Sequence, residues 1–568
     1  MLSRFISSCV VALQTQITLA VGFLFCLSVS AFYIYQADGR FVAERPDVLG
    51  VGLGLSILCW AVGSWLSRKV PRNTPLDIQQ GVWSVVLTWI IAITISATVF
   101  VLAGFSDPAR VSEFPLYRRF VDGVFESISG FTTAGGSILP SVEVFPRSVL
   151  MWRSLTHWLG GMGIAFFALT ILRSFRWKRE TVINAEAEGP NYVKFLSEGD
   201  ARTAGIDFLK IFGLLTVILA GLLFVSGAMY RSTPYLHWYD NAFDAINHSV
   251  SVMGTGGFGV YDASVGLQVL ENGKLVNCGL RDHASEWIIA LFMWIAGSNL
   301  SLWYVLFFKG KTKQFWQSRE FRTYFYFVLL VTGGIWTNLV LSHTYESWHD
   351  ALRVAFFNVN TILSTTGLAN TDFTAWPAAA EALLFCCYLV GGMVGSTAGG
   401  LKMLRFNLLY KYLQVKLQNF LFGRYKTRTS FDGTRYDMSA LGLVAVTIVL
   451  YFGAFMLGAM LIMITSPQNS LPDGTIKAID FISAIGASIA NLGNIGPAVD
   501  IGNLNAGPTG NYFPYSVPAK LVMSGLMMIG CVGVLTVITL FISRRGIAAS
   551  SEQITQQKFD SDAPILRA

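Results

Sequence analysis

The chain has 568 residues, of which 53% are hydrophobic and 13% charged, with a formal net charge of +7 and a mean hydropathy of +0.52. Soluble domains carry about 25% charged residues, so composition excludes an ordinary soluble protein and makes the surplus of Lys and Arg a topology signal, with no nucleic acid as partner. Seven scattered cysteines and six histidines show no metal-ligand spacing and no disulfide framework.

In chain order, long apolar runs predict ten membrane helices, at about 14–35, 47–67, 81–104, 147–172, 206–230, 286–308, 323–342, 378–412, 439–465 and 517–543. Each is long enough to cross a hydrocarbon core of roughly 30 Å, and too long for a barrel strand. Basic segments such as Arg173 to Arg179, Lys309 to Arg322 and Lys402 to Arg435 fall on one side of these crossings, together with both termini. That side is predicted to be cytoplasmic. Several acidic residues, including Asp107, Glu113, Glu143, Asp240, Asp262, Asp372 and Asp500, fall on the outer side. They would mildly raise the local cation concentration or be ordinary solvated loop charges.

Four segments end a short, weakly polar stretch with the same small-residue punctuation: Phe131 to Gly135 (FTTAG), Met253 to Gly257 (MGTGG), Leu363 to Gly367 (LSTTG) and Leu492 to Gly496 (LGNIG). Each lies between two long apolar runs. The fold class is therefore an all-α polytopic membrane protein, with four membrane helix–pore helix–membrane helix repeats around a pseudo-fourfold pore, plus two N-terminal helices. The division is 1–75 N-terminal pair, 76–180, 200–310, 318–425 and 436–546 for the four repeats, and 547–568 a polar cytoplasmic tail.

The stretches Phe120 to Gly130, Asn241 to Val252, Ala351 to Ile362 and Phe481 to Asn491 are too short to span and too apolar for loops. They read as re-entrant pore helices with their negative dipole ends toward the axis. Glycine at the turn lets successive carbonyls face inward, where a Cβ would resist the backbone angles. Carbonyls gathered in this way replace the hydration shell of a cation. The chain reads as an ion pore.

Nine positions before the glycine stand Glu126, His248, Asn358 and Ala487, and six before it Ser129, Ser251, Thr361 and Ala490. Small hydroxyls there suit close packing and bonds to freed backbone groups. Glu126 faces protein or water, and its role is read as pinning the filter loop. The stretch 378–412 is too long for one crossing and has Gly395, Gly399 and Gly400 near its middle, with polar Ser396 and Thr397. Nothing orders His157, His248 and Glu126 as base and nucleophile, and neither phosphate loop nor nucleophile elbow is present. No enzyme activity is expected.

These motifs resemble the Trk/Ktr/HKT superfamily of potassium transporters over about residues 80–545. The resemblance rests on Ser129 to Gly135 followed by Trp152 to Gly163 (WRSLTHWLGGMG), on Gly391 to Lys402 (GGMVGSTAGGLK) and on Asn494 to Pro497 (NIGP). The extra helix pair before residue 70 is similar to the bacterial TrkH branch. The resemblance implies potassium uptake across the bacterial cytoplasmic (inner) membrane, with K+ as the transported ion and no bound cofactor. It implies a K+ filter at Ala134, Gly135, Gly256, Gly257, Thr366, Gly367, Ile495 and Gly496, with Gly135 favouring K+ over Na+. Gly395, Ser396, Thr397, Ala398, Gly399 and Gly400 would form an intramembrane gate. The expected partners are the lipid bilayer, a second copy in a homodimer and a TrkA/KtrA-like cytosolic nucleotide-binding regulatory subunit. One departure stands out: Ile529 to Gly533 (IGCVG) places Cys531, a pore-lining candidate, where the family carries an arginine. A thiol is no electrostatic barrier, so the glycine loop would carry more of the closure. The alternatives are sodium or non-selective monovalent cation transport, or the pore subunit of an ATP-driven potassium pump.

Overall fold

Hydrocarbon offers a free amide no partner, so each apolar run closes its own hydrogen bonds as a helix. The structure is a computed structural model that describes residues 2–35, 43–68, 78–105, 114–174, 201–230, 237–265, 267–271, 274–278, 283–423, 428–467, 469–470, 476–499, 506–508, 510–535 and 537. The basic segment 175–179, the acidic residues Asp107, Glu113 and Asp500, and the tail 547–568 lie outside them.

Three helices open the chain: α1 (Leu2–Thr15), α2 (Ile17–Tyr35) and α3 (Pro46–Ser67). The first apolar span begins earlier than the sequence suggested, at Ile6. Next come α4 (Ile78–Ala103), the shorter α5 (Leu116–Phe131) and α6 (Arg147–Ser174). They are followed by α7 (Ala201–Tyr230), α8 (Trp238–Met253), the hairpin β1 (Leu267–Glu271) with β2 (Lys274–Cys278), α9 (His283–Ala296) and α10 (Leu300–Lys309). After α11 (Thr312–Gln317) come α12 (Arg319–Leu341), α13 (Trp348–Leu363), α14 (Ala378–Leu389) and α15 (Met403–Phe422). A hairpin of β3 (Arg428–Phe431) and β4 (Thr434–Asp437) leads to α16 (Met438–Thr465), α17 (Phe481–Leu492) and α18 (Val517–Val532).

Among the described residues six helices are long and apolar enough to cross a membrane, or seven if one bent pair counts as a span. The ten predicted spans are thus partly interrupted. The run 286–308 is two helices, α9 and α10, meeting at 101°. The cause is local. Gly297 N–H still closes on Met293, but the Asn299 side chain accepts from Ser301 N at 2.9 Å and starts a new helix. The run 378–412 divides into α14 and α15 around residues 390–402. Helix α18 stops at Val532, before Gly533 with φ +92°.

The helix that follows each of the short helices α5, α8, α13 and α17 reaches across to the next of the four, or to the loop just after it. Arg147 of α6 pairs with Asp240 of α8, and Glu286 of α9 with Arg353 of α13. Tyr388 of α14 donates to the Pro497 carbonyl at 3.0 Å. Lys520 of α18 returns to Asp122 of α5 at 2.7 Å, with both side chains fully buried. Low dielectric makes an unpaired charge prohibitive at such sites, so the three ion pairs fix how these segments sit against one another. Asp240, read from sequence as an outer-mouth charge, is instead a buried partner.

Candidate functional site

The four short helices α5, α8, α13 and α17 end the same way. Two residues before each of the four punctuating glycines the chain turns left-handed: Thr133 (φ 56°), Thr255 (52°), Thr365 (55°) and Asn494 (54°). It does so again at Gly135 (φ 74°), Gly257 (78°), Gly367 (79°) and Gly496 (95°). The residue between them donates its N–H back into the helix. Ala134 reaches Ser129 O, Gly256 reaches Ser251 O, Thr366 reaches Thr361 O and Ile495 reaches Ala490 O, at 2.8–3.1 Å. Sequence reasoning identified the glycines but missed the left-handed Thr, Thr, Thr and Asn. Such residues adopt this conformation at a cost of roughly 1–2 kcal/mol, which the shared hydrogen bonds offset.

The glycines meet around one axis. A Cβ added at Gly135 would collide with the Gly256 carbonyl, at Gly257 with that of Thr366, and at Gly367 with that of Ile495. At Gly496 it would come within 2.9 Å of the Ala134 oxygen, which closes the ring. All eight sequence-nominated filter residues are thereby brought together. All four glycines line a cavity of about 110 Å³, with Ser137, Arg153, Asp262 and Tyr512 among its other walls. A single water needs only roughly 10–15 Å³, so the space admits a partly hydrated ion.

Glu126 is fully buried behind this ring. Its carboxylate accepts from Ile138 N at 3.0 Å and Ser137 Oγ at 3.1 Å, and pairs with Arg153 Nε at 2.6 Å. Arg153 in turn donates to the Gly259 carbonyl at 3.1 Å, tying the first glycine turn to the segment after the second. His157 packs under Gly256, where an added Cβ would strike its ring. It stacks on Phe258 at 4.0 Å, and its Nδ1 lies 3.3 Å from Ser251 Oγ. Both groups sit as scaffold.

Residues 390–402 pack against the residues that lead into three of the glycine turns. Gly399 N donates to Thr365 Oγ1 at 2.7 Å, and Thr397 Oγ1 to the Met253 carbonyl at 3.1 Å. Added Cβ atoms at Gly399 and Gly400 would meet Gly493. Three filter bases are therefore in contact with one loop. Gly395 turns left-handed at φ 77°, and its carbonyl accepts from Leu300 N at 3.0 Å, at the bend between α9 and α10. Met393 N bonds the Gly297 carbonyl there at 2.8 Å. Ser396 Oγ turns back to Met393 O at 2.6 Å, and Lys402 Nζ donates to Ala398 O at 2.7 Å. Cys531 is half-buried at the end of α18, within electrostatic reach of Lys402. The region that sequence described as free of an arginine thus still holds one cation.

A helical, multi-pass membrane protein with a carbonyl-edged opening on its axis and a polar loop across one side has the build of a membrane transport protein. Residues 54–549 match the model of the TrkH family, described as cation transport protein. The chain belongs to the TrkH family. It is 28% identical over 495 residues to the Trk system potassium uptake protein TrkH of Escherichia coli (strain K12), covering 86% of this chain and 89% of that protein. It is 27% identical over 505 residues to the Trk system potassium uptake protein TrkI of Halomonas elongata, covering 88% and 90%. Its fold is similar to the crystal structure of the potassium transporter TrkH from Vibrio parahaemolyticus, with a TM-score of 0.71 at 22% identity, covering 94% of this chain and 98% of that one.

Proposed function

We propose that this chain is a potassium uptake pore of the bacterial inner membrane, with both termini cytoplasmic. The single observation that carries the reading is the ring of filter glycines, each set against a carbonyl of the adjacent repeat. In this reading K+ sheds part of its water in the outer cavity. It then passes between the carbonyls of Ala134 and Gly135, Gly256 and Gly257, Thr366 and Gly367, and Ile495 and Gly496. The pore-helix ends add negative potential at that point. The membrane potential drives entry, worth about 2.3 kcal/mol per charge at 100 mV.

Gly395 to Gly400 act as the gate. The loop's bonds to Thr365 and Met253 support this, because closing and opening then amount to making and releasing a few hydrogen bonds under the filter. The chain works as a homodimer under a cytosolic nucleotide-binding subunit that docks on the basic cytoplasmic face. The repeats divide the chain at 76–180, 200–310, 318–425 and 436–546. The test is Rb+ flux into liposomes holding the purified protein, competed with K+ and Na+, with Gly135→Ser alongside. Competition by K+ above Na+, weakened in Gly135→Ser, is the expected result. Absence of Rb+ flux overturns the reading.

A further inference from the structure

The fourth filter segment is held differently from its counterparts. In repeats one and three, the carbonyl just after the filter glycine accepts from a hydroxyl of its own pore helix. Ser129 Oγ reaches Gly136 O at 2.6 Å, and Thr361 Oγ1 reaches Leu368 O at 2.8 Å. The matching position in repeat four is Ala490, which has no hydroxyl to give. Tyr388, from the neighbouring repeat, serves the Pro497 carbonyl instead.

A second tyrosine reaches the filter itself. The Tyr512 hydroxyl donates to the Gly496 carbonyl at 2.8 Å. Its backbone N–H donates to the Ser137 carbonyl at 2.8 Å, and a Cβ at Gly136 would lie 3.0 Å from its ring. The side chain is 1% exposed and borders the cavity above the glycines. Among the described residues, the carbonyls of Gly135, Gly257 and Gly367 receive no such hydroxyl. One quadrant of the glycine ring is therefore tethered through its carbonyl, by a residue that also grips the adjacent quadrant.

We propose that Tyr512 is a specificity-determining residue of the ion pathway, holding the Gly496 carbonyl at the distance a large, weakly hydrated cation requires. The proposal rests on the filter reading given above. Na+ is satisfied only when oxygens close in further than they do for K+, and a carbonyl held by a hydroxyl resists that movement. The donated proton also draws density from the oxygen, lowering its field toward a small ion. Removing the hydroxyl frees the carbonyl to swing inward, and Na+ gains more from that than K+ does.

The experiment uses full-length protein in liposomes and compares initial rates of Rb+ and Na+ uptake. In Tyr512→Phe the Rb+-to-Na+ ratio falls about fivefold, the worth of roughly one hydrogen bond, while uptake persists. Incorporation of 3-fluorotyrosine at position 512, a stronger donor with every contact retained, moves the ratio the other way. An unchanged ratio in a conducting Tyr512→Phe protein, or both variants moving in one direction, overturns the proposal alone. If Tyr512→Phe fails to fold, the fluorinated protein decides by itself, and an unaltered ratio there overturns the proposal. Wild-type protein that carries no Rb+ overturns the filter reading, and this proposal with it.

Discussion

Tyr388 donates its hydroxyl to the Pro497 carbonyl at 3.0 Å and so joins the interrupted helix of repeat three to the filter of repeat four. The other three seams of the ring carry ion pairs; among the described residues this one has a single neutral bond in the same place. It borders the loop that the proposed mechanism asks to move. Tyr388→Phe is expected to destabilise the protein by about 1 kcal/mol, read as a lower midpoint of thermal unfolding in detergent. Adding Ala490→Ser restores a hydroxyl at the position that Ser129 and Thr361 occupy in their repeats, and recovers most of the loss. A double variant no more stable than the single one would show that Tyr388 does not stand in for the missing hydroxyl.

The four glycines differ in how much room a methyl would find. At Gly135, Gly257 and Gly367 a Cβ overlaps a neighbouring carbonyl, whereas at Gly496 it stops 2.9 Å from Ala134 O. All four also have positive φ, which Ala resists by roughly 1–2 kcal/mol. The first three Gly→Ala variants should each reduce Rb+ uptake at least about tenfold, since strain and displaced carbonyls act together. Gly496→Ala should retain the most uptake of the set. Equal loss at all four positions would mean that backbone strain alone decides.

Lys520 and Asp122 are buried completely, 398 residues apart in sequence and 2.7 Å apart in space. Removing one partner strands a charge, which costs about 3–5 kcal/mol, whereas replacing both by apolar groups is often neutral. Lys520→Met alone should lower the unfolding midpoint sharply. Lys520→Met combined with Asp122→Leu should recover it. Additive losses in the double variant would place the contribution of Lys520 somewhere other than this pair.

The four glycine turns were legible because their punctuation repeats: each glycine needs its positive φ for the same reason, and the apolar runs on either side set the scale. The short pore helices were placed within a few residues, Phe120 to Gly130 against Leu116–Phe131 for example. What escaped was geometry set by distant partners. The run 286–308 has the hydropathy of one helix, and only the loop bonding to Gly297 and the cap at Asn299 explain why it bends. Asp240 looked like a loop charge because its partner Arg147 lies 93 residues away. Tyr512 carries no local signal at all; its importance comes from the two filter segments it touches.

Cys531 and Lys402 make a charge prediction possible. Cys531 is half-buried at the end of α18, and the Lys402 ammonium is bound to the loop carbonyl of Ala398. If the end of α18 borders the proposed ion path, Cys531→Arg adds a cation there and should lower Rb+ flux in liposomes. Flux equal to that of the wild type would show that the end of α18 lies off the ion's path.

A final relationship links the β3–β4 hairpin to the loop. Asp432, in the turn between β3 and β4, accepts from Arg319 N at 2.8 Å and from Glu320 N at 3.3 Å, capping the start of α12. In the same turn of helix, buried Glu320 accepts from Val394 N at 2.9 Å, at the edge of the glycine loop. The path from hairpin to loop is thus two hydrogen-bonding residues long. Glu320→Leu leaves the Val394 amide without its acceptor, and an unmet buried amide costs about 1–3 kcal/mol. The closed arrangement of the loop loses that much, so basal Rb+ leak should rise about fivefold or more. Glu320→Gln keeps an acceptor oxygen in reach and should stay near the wild-type rate, while deletion of 395–400 sets the upper limit of leak. A Glu320→Leu protein that is as tight as the wild type, alongside a leaky deletion, would show that the loop holds itself shut without α12.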